Sequence, residues 1–124
     1  MKIEVLEKFN EEIEFIDIVN MEFDEANLEL TISINGYKLD VRFEAPVGFR
    51  VLDEGDLLEF WPQCSSPNGW LYKINNEGWF EQESKREGFL SSHRKDVNEY
   101  FIIGLDYCVS VLSIDAPDIT ESIR

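Results

Sequence analysis

The sequence predicts a mainly-β protein, one domain with an antiparallel sheet folded over a single core and at most one short helix. Three observations carry this expectation. Alternating apolar and polar residues flank a single Asn-Gly in LELTISINGYKLDVRF, residues 28–43. Short strand-like runs recur along the chain with turn residues between them, and no stretch holds a sustained helical period. A chain of 124 residues is the length of one ordinary domain.

The Asn-Gly pair is the strongest local signal. A type I′ turn needs positive φ at both central residues, and Asn35-Gly36 supplies them. Pairing Ile34 with Tyr37 then sets every later pair, because side chains alternate with a period of two. Leu28, Leu30, Ile32, Ile34, Tyr37, Leu39, Val41 and Phe43 fall on one face. The other face sets Glu29 against Arg42, Thr31 against Asp40 and Ser33 against Lys38, as a solvated sheet face would.

Residues 13–23 read as a third strand. A short turn through Asp24 and Asn27 pairs Phe23 with Leu28 and lays Met21 and Val19 over Leu30 and Ile32. Residues 2–9 read as an N-terminal strand. GFRVLDEGDLLEFWP suggests two short strands around Asp53-Glu54-Gly55-Asp56, with one helical turn in DLLEFW as the alternative before Pro62. PQCSSPNG is a loop. GWLYKINNEGWFEQE suggests a hairpin with a three-residue loop ending in a left-handed Gly78. That register pairs Ile74 with Phe80 and Lys73 with Glu81, and it turns Trp79 outward beside Glu81 and Glu83. Any helix belongs in 84–98. Residues 100–103 and 107–114 complete the strands.

Charge is the outlier. Twenty-six acids against eleven bases leave −15, with a pI near 4.3. Such a field repels nucleic acid and anionic lipid and attracts cationic partners. No apolar run approaches the roughly 20 residues of a membrane span, and the charged N-terminus does not read as a secretory signal. The expectation is a cytoplasmic protein with Cys64 and Cys108 as reduced, buried thiols.

No pattern of catalysis emerges. His93, the one histidine, lies in the polar segment SSHRKD, and no base adjoins Cys64. The cysteines and histidine lack zinc spacing, the acidic turn at residues 53–56 lacks the calcium-loop pattern, and the glycines form no phosphate loop. No cofactor or metal is expected. Lys85, Arg86, Arg94 and Lys95 balance Glu83, Glu87 and Asp96. What remains is a surface, with Trp79, Glu81, Glu83, Asp53, Glu54 and Asp56 as the candidate partner-binding residues.

GFRVLDEGDLLEFW, GWLYKINNEGWFEQESKREGF and EYFIIGLDYCVSVLSIDAPDI together resemble small acidic bacterial immunity proteins of polymorphic-toxin and contact-dependent growth-inhibition systems. The resemblance covers about residues 48–119. It implies a non-enzymatic cytoplasmic protein that binds and neutralises a cognate basic toxin domain, often a nuclease, without itself touching nucleic acid or membrane. Two other readings stand beside it: a β domain holding a small ligand or serving as an assembly subunit, and an enzyme working through carboxylates.

Overall fold

The computed structural model describes residues 1–122 and is mainly β, antiparallel throughout. Its strands are β1 (Ile3–Lys8), β2 (Ile16–Phe23), β3 (Asn27–Ile34), β4 (Tyr37–Glu44), β5 (Gly48–Asp53), β6 (Gly69–Ile74), β7 (Asn98–Ile102), β8 (Tyr107–Ser113) and β9 (Asp118–Glu121). They form two sheets rather than one, ordered β1-β6-β7-β8-β5 and β2-β3-β4-β9.

The Asn-Gly hairpin forms as its chemistry dictates. Asn35 and Gly36 both take positive φ, and Ile34 pairs with Tyr37. The Asn35 side chain also accepts from the amides of Glu14 and Phe15, so the turn anchors the segment leading into β2. Leu28, Leu30, Ile32, Ile34, Val41 and Phe43 are fully buried, whereas Tyr37, at the hairpin tip, is exposed and lies against the ring of Phe9. The polar face departs from expectation at its centre. Thr31 is 7% exposed and donates to Asp40 at 3.1 Å, because neighbouring strands shield the middle of the sheet.

β2 pairs with β3 as expected from Phe23 to Met21, but Val19 does not lie over Ile32. A bulge between Ile18 and Asn20 puts Ile18 there instead. The cause is legible in IDIVNMEF, where Ile16 and Ile18 alternate in one phase while Met21 and Phe23 alternate in the other. One extra residue brings both phases onto the core face.

The expected hairpin across 70–83 is overturned. β6 has both edges taken, by β1 and β7, with Ile74 opposite Ile3 and Glu99. No edge is open to residues 79–83, which form a short helix, α1 (Trp79–Glu83). Glu77 takes the positive φ and Gly78 does not. Within 84–98 only a 3-10 turn forms, at Leu90–His93, and after β5 a 3-10 turn at Glu54–Asp56 replaces the second strand.

One apolar cluster lies between the sheets, joining Leu28, Leu30, Ile32, Val41 and Phe43 to Leu71, Tyr100, Ile102, Val109 and Val111. A second lies on the far side of the five-stranded sheet. There Leu57, Phe60 and Cys64 form a roof over Tyr72, Ile74, Phe101 and Cys108.

Candidate functional site

α1 stands on a buried carboxylate. Glu99, on β7, is 3% exposed and accepts from the amides of Trp79 (3.1 Å) and Phe80 (2.7 Å), the first donors of a helix with no side-chain cap of its own. Gly78 permits this approach. A Cβ there would stand 2.6 Å from Ile74 Cγ2 and 2.8 Å from each carboxylate oxygen of Glu99. Burial pushes the Glu99 carboxyl above its ordinary range, against the two amides and nearby Arg50. A raised carboxyl pKa means the folded state holds this proton more tightly than the unfolded chain. Its contribution to stability is therefore full below the ordinary value of 4.5 and is lost as pH rises through the folded value. Glu99→Gln removes this titration. Chemical denaturation across mildly acidic pH is expected to show stability falling less steeply just above pH 4.5 in the variant than in the wild type.

The Trp79 ring lies under the Arg50 guanidinium, 5.0 Å from its centroid, and the indole N–H donates to Glu83 at 3.2 Å. Trp79 is thus half-buried and engaged on both faces of its chemistry, not the outward aromatic of a strand. Arg50 is itself half-buried, and burial lowers its pKa against the pull of Glu99, Glu59 and Glu83. Glu83 also pairs with Arg86, which holds its carboxyl below the ordinary range. Glu81 is exposed and bonds the amide of Glu77.

The acidic turn lies elsewhere. Asp53 accepts from the amide of Gly55 at 2.8 Å, and the Glu54 amide donates to the carbonyl of Asp106 at 2.9 Å. Trp61 pins the turn from above, its indole donating to the Glu54 carbonyl at 2.9 Å. Asp53, Glu54 and Asp56 all face solvent. Trp79 packs near Gly48, the first residue of β5, and Asp53 is the last. At about 3.3 Å per residue, the strand keeps the two candidate groups apart by most of its length. They are two surfaces, not one.

Neither sulfur is poised for attack. Cys64 and Cys108 are free and buried, and burial pushes their thiols up to about 12 and about 11. His93 is exposed on its 3-10 turn. Among the described residues no group of three or more His, Cys, Asp or Glu could hold a metal ion. Nor is any helix among them long and apolar enough to cross a membrane. The basic stretch is partly balanced as its spacing suggests, Arg86 by Glu83 and Arg94 by Asp96.

One feature escaped the sequence reading. β2 and β5 are edge strands of different sheets, and they lie along the same side of the molecule. Phe23 and Phe49 meet there with ring centroids 5.1 Å apart. Beside them Ile18, Val19, Met21, Val51, Tyr107 and Val109 line a groove of about 340 Å³. Val19, Met21, Phe23, Val51 and Tyr107 all remain exposed, Tyr107 to 57%. The available signal was the change of apolar phase within β2, which spreads large side chains along an edge.

No family model, curated protein or solved structure matches the chain.

The arrangement of Glu99, Arg50 and Trp79 accounts for itself structurally. The carboxylate caps a helix, the guanidinium covers a ring, and the ring packs near Gly48 at the start of β5. The groove has no such internal use, and in the acidic turn only Asp53 does, as the cap of its 3-10 turn. Both present atoms to solvent, one apolar and one anionic, at the same end of the β5–β8 pair, where Asp53 lies opposite Tyr107.

Proposed function

We propose that the chain is a non-enzymatic, cytoplasmic immunity protein that neutralises a cognate basic toxin domain, a nuclease above all. The observation that carries this reading is the charge of −15 together with its distribution. Lys and Arg are missing from residues 9–37 and 51–72, so whole strands and turns carry acids alone. A nuclease gathers positive charge to hold phosphate. An acidic partner reaches that surface quickly and covers it, and no bond need be made or broken. The likeness of residues 48–119 to small acidic immunity proteins supports the same conclusion.

Co-expression with the product of the gene immediately upstream tests it. The expected result is restored growth and a complex that co-purifies and weakens with salt. A soluble, folded chain that neither restores growth nor co-purifies overturns the reading. His93→Ala and Cys64→Ala are expected to protect as well as the wild type. Loss of protection in either, at unchanged abundance and fold, would call for catalysis or redox chemistry instead.

A further inference from the structure

We infer that the groove between the β2 and β5 edges is a docking site for an extended cationic segment of a partner protein, one alternating basic with apolar side chains. The inference rests on the toxin-binding reading for its biology but not for its geometry.

Two unpaired edges flank the groove, each with main-chain donors and acceptors that sheet pairing uses on one side only. Such an edge invites an added strand unless something blunts it. Proteins commonly use lysine, proline or a bulge for this purpose. β2 has neither lysine nor proline, and its bulge, at Ile18–Asn20, leaves the stretch from Asn20 to Phe23 regular. That regular stretch carries Met21 and Phe23, whose exposed surface would bury against alternate residues of an added strand.

Charge selects the occupant. Of the acids on the bordering segments, Asp17 and Glu22 project from the polar face of β2, opposite Ser33 and Glu29, and Asp53 and Asp106 lie next to Tyr107 by pairing and by sequence. Arg50 is the one base on these segments, and it lies on the opposite face of β5 from Val51, over Trp79. The other bases of the described residues lie outside these segments: Lys2 and Lys8 at β1, Lys38 and Arg42 in β4, Lys73 in β6, and Lys85, Arg86, Arg94 and Lys95 after α1. A second copy of the chain is a poor occupant, since each brings −15 and pairing β2 with itself would set Asp17 and Glu22 among like charges. A basic strand added along β2 sets its basic side chains beside Asp17 and Glu22 on the polar face while its alternate apolar residues enter the groove.

The test uses the full chain, isotopically labelled, and a short peptide of alternating lysine and valine at near-physiological salt. Amide shifts are expected to concentrate in Ile16–Phe23, Gly48–Asp53 and residues 105–109. A peptide of the same composition, with its lysines and valines in separate blocks, should bind about fivefold more weakly, since it offers charge without alternation. Two variants with the same change of net charge separate the groove from the overall field. Val19→Lys with Tyr107→Lys should weaken binding about tenfold, whereas Leu90→Lys with Tyr37→Lys, at exposed apolar positions elsewhere, should bind within about twofold of wild type. Shifts spread over every acidic surface, equal losses in the two variants, or no binding at all would overturn the inference. Peptide binding in the groove without protection in the growth assay would remove the toxin reading and leave the docking site standing. Full protection by Val19→Lys with Tyr107→Lys would do the reverse.

Discussion

Leu30→Asp is expected to lower the melting temperature by tens of degrees, or to leave the chain unfolded. Leu30 has no exposed surface and sits at the middle of the four-stranded sheet, opposite Met21 on one side and Val41 on the other. An aspartate there either keeps a charge with no partner or takes up a proton and buries an unsatisfied carboxyl. Either outcome adds to the lost packing of leucine, and the sum exceeds about 4 kcal/mol. Domains of this size hold about 5–15 kcal/mol in all, so a loss of this size removes a large share of the total. The comparison variant is Ser33→Asp, half-buried on the polar face between Lys38 of β4 and Asp17 of β2. It should melt within a few degrees of wild type, since attraction to Lys38 offsets repulsion from Asp17, each cross-strand pair being worth about 0.2–1 kcal/mol. Thr31→Asp falls between them, because Thr31 is nearly buried and an acid there would face Asp40. Equal melting of Leu30→Asp and Ser33→Asp would refute the register.

That register was fully legible because a two-residue turn and a strict alternation agree with each other. Strand pairs between distant segments were not. Which strands flank β6 depends on β1 and β7, from opposite ends of the chain, and local pairing of Ile74 with Phe80 looks equally good until both edges are seen to be occupied. The same blindness hid β9, whose four residues join the sheet only because β4 offers an open edge. α1 was missed for a different reason. Five residues carry no helical period, and the group that caps the helix, Glu99, is twenty residues downstream of Trp79.

The candidate surface followed the same division. The acids at Asp53, Glu54 and Asp56 were readable as a solvent-facing turn, because a run of carboxylates around a glycine has little else to do. Trp79 was misplaced with its hairpin, and the structure turns it into a packing residue under Arg50. The groove needed three dimensions. Val19, Met21, Val51 and Tyr107 come from three strands of two sheets, and nothing in their local sequence says that β2 and β5 end on the same side.

Phe101→Ala should lower the melting temperature by roughly 10–20 °C and open the roof over the five-stranded sheet. Phe101 is fully buried, stacked on Phe60 with centroids 4.7 Å apart and tilted against Trp61 at 6.0 Å. It pairs with both aromatics of the segment between β5 and β6. Truncating a buried phenylalanine typically costs about 3–5 kcal/mol, and a domain of this length loses a few degrees per kcal/mol. The roof itself has little regular structure to fall back on. Its hydrogen bonds are local turns, such as the amide of Cys64 to the carbonyl of Phe60 at 2.8 Å. Its loosening can be read from Cys64, which is fully buried with a thiol pushed up to about 12. In mildly alkaline buffer almost none of that sulfur is thiolate, and none of it is reachable, so a thiol reagent should label the wild type only on unfolding. In Phe101→Ala the same reagent should label Cys64 well below the melting temperature. Phe80→Ala, which removes a half-buried ring packed edge-on to Phe89 outside this cluster, should leave the labelling rate unchanged. If Cys64 stayed protected in folded Phe101→Ala, its turn hydrogen bonds, rather than the aromatic stack, would be what holds the roof down.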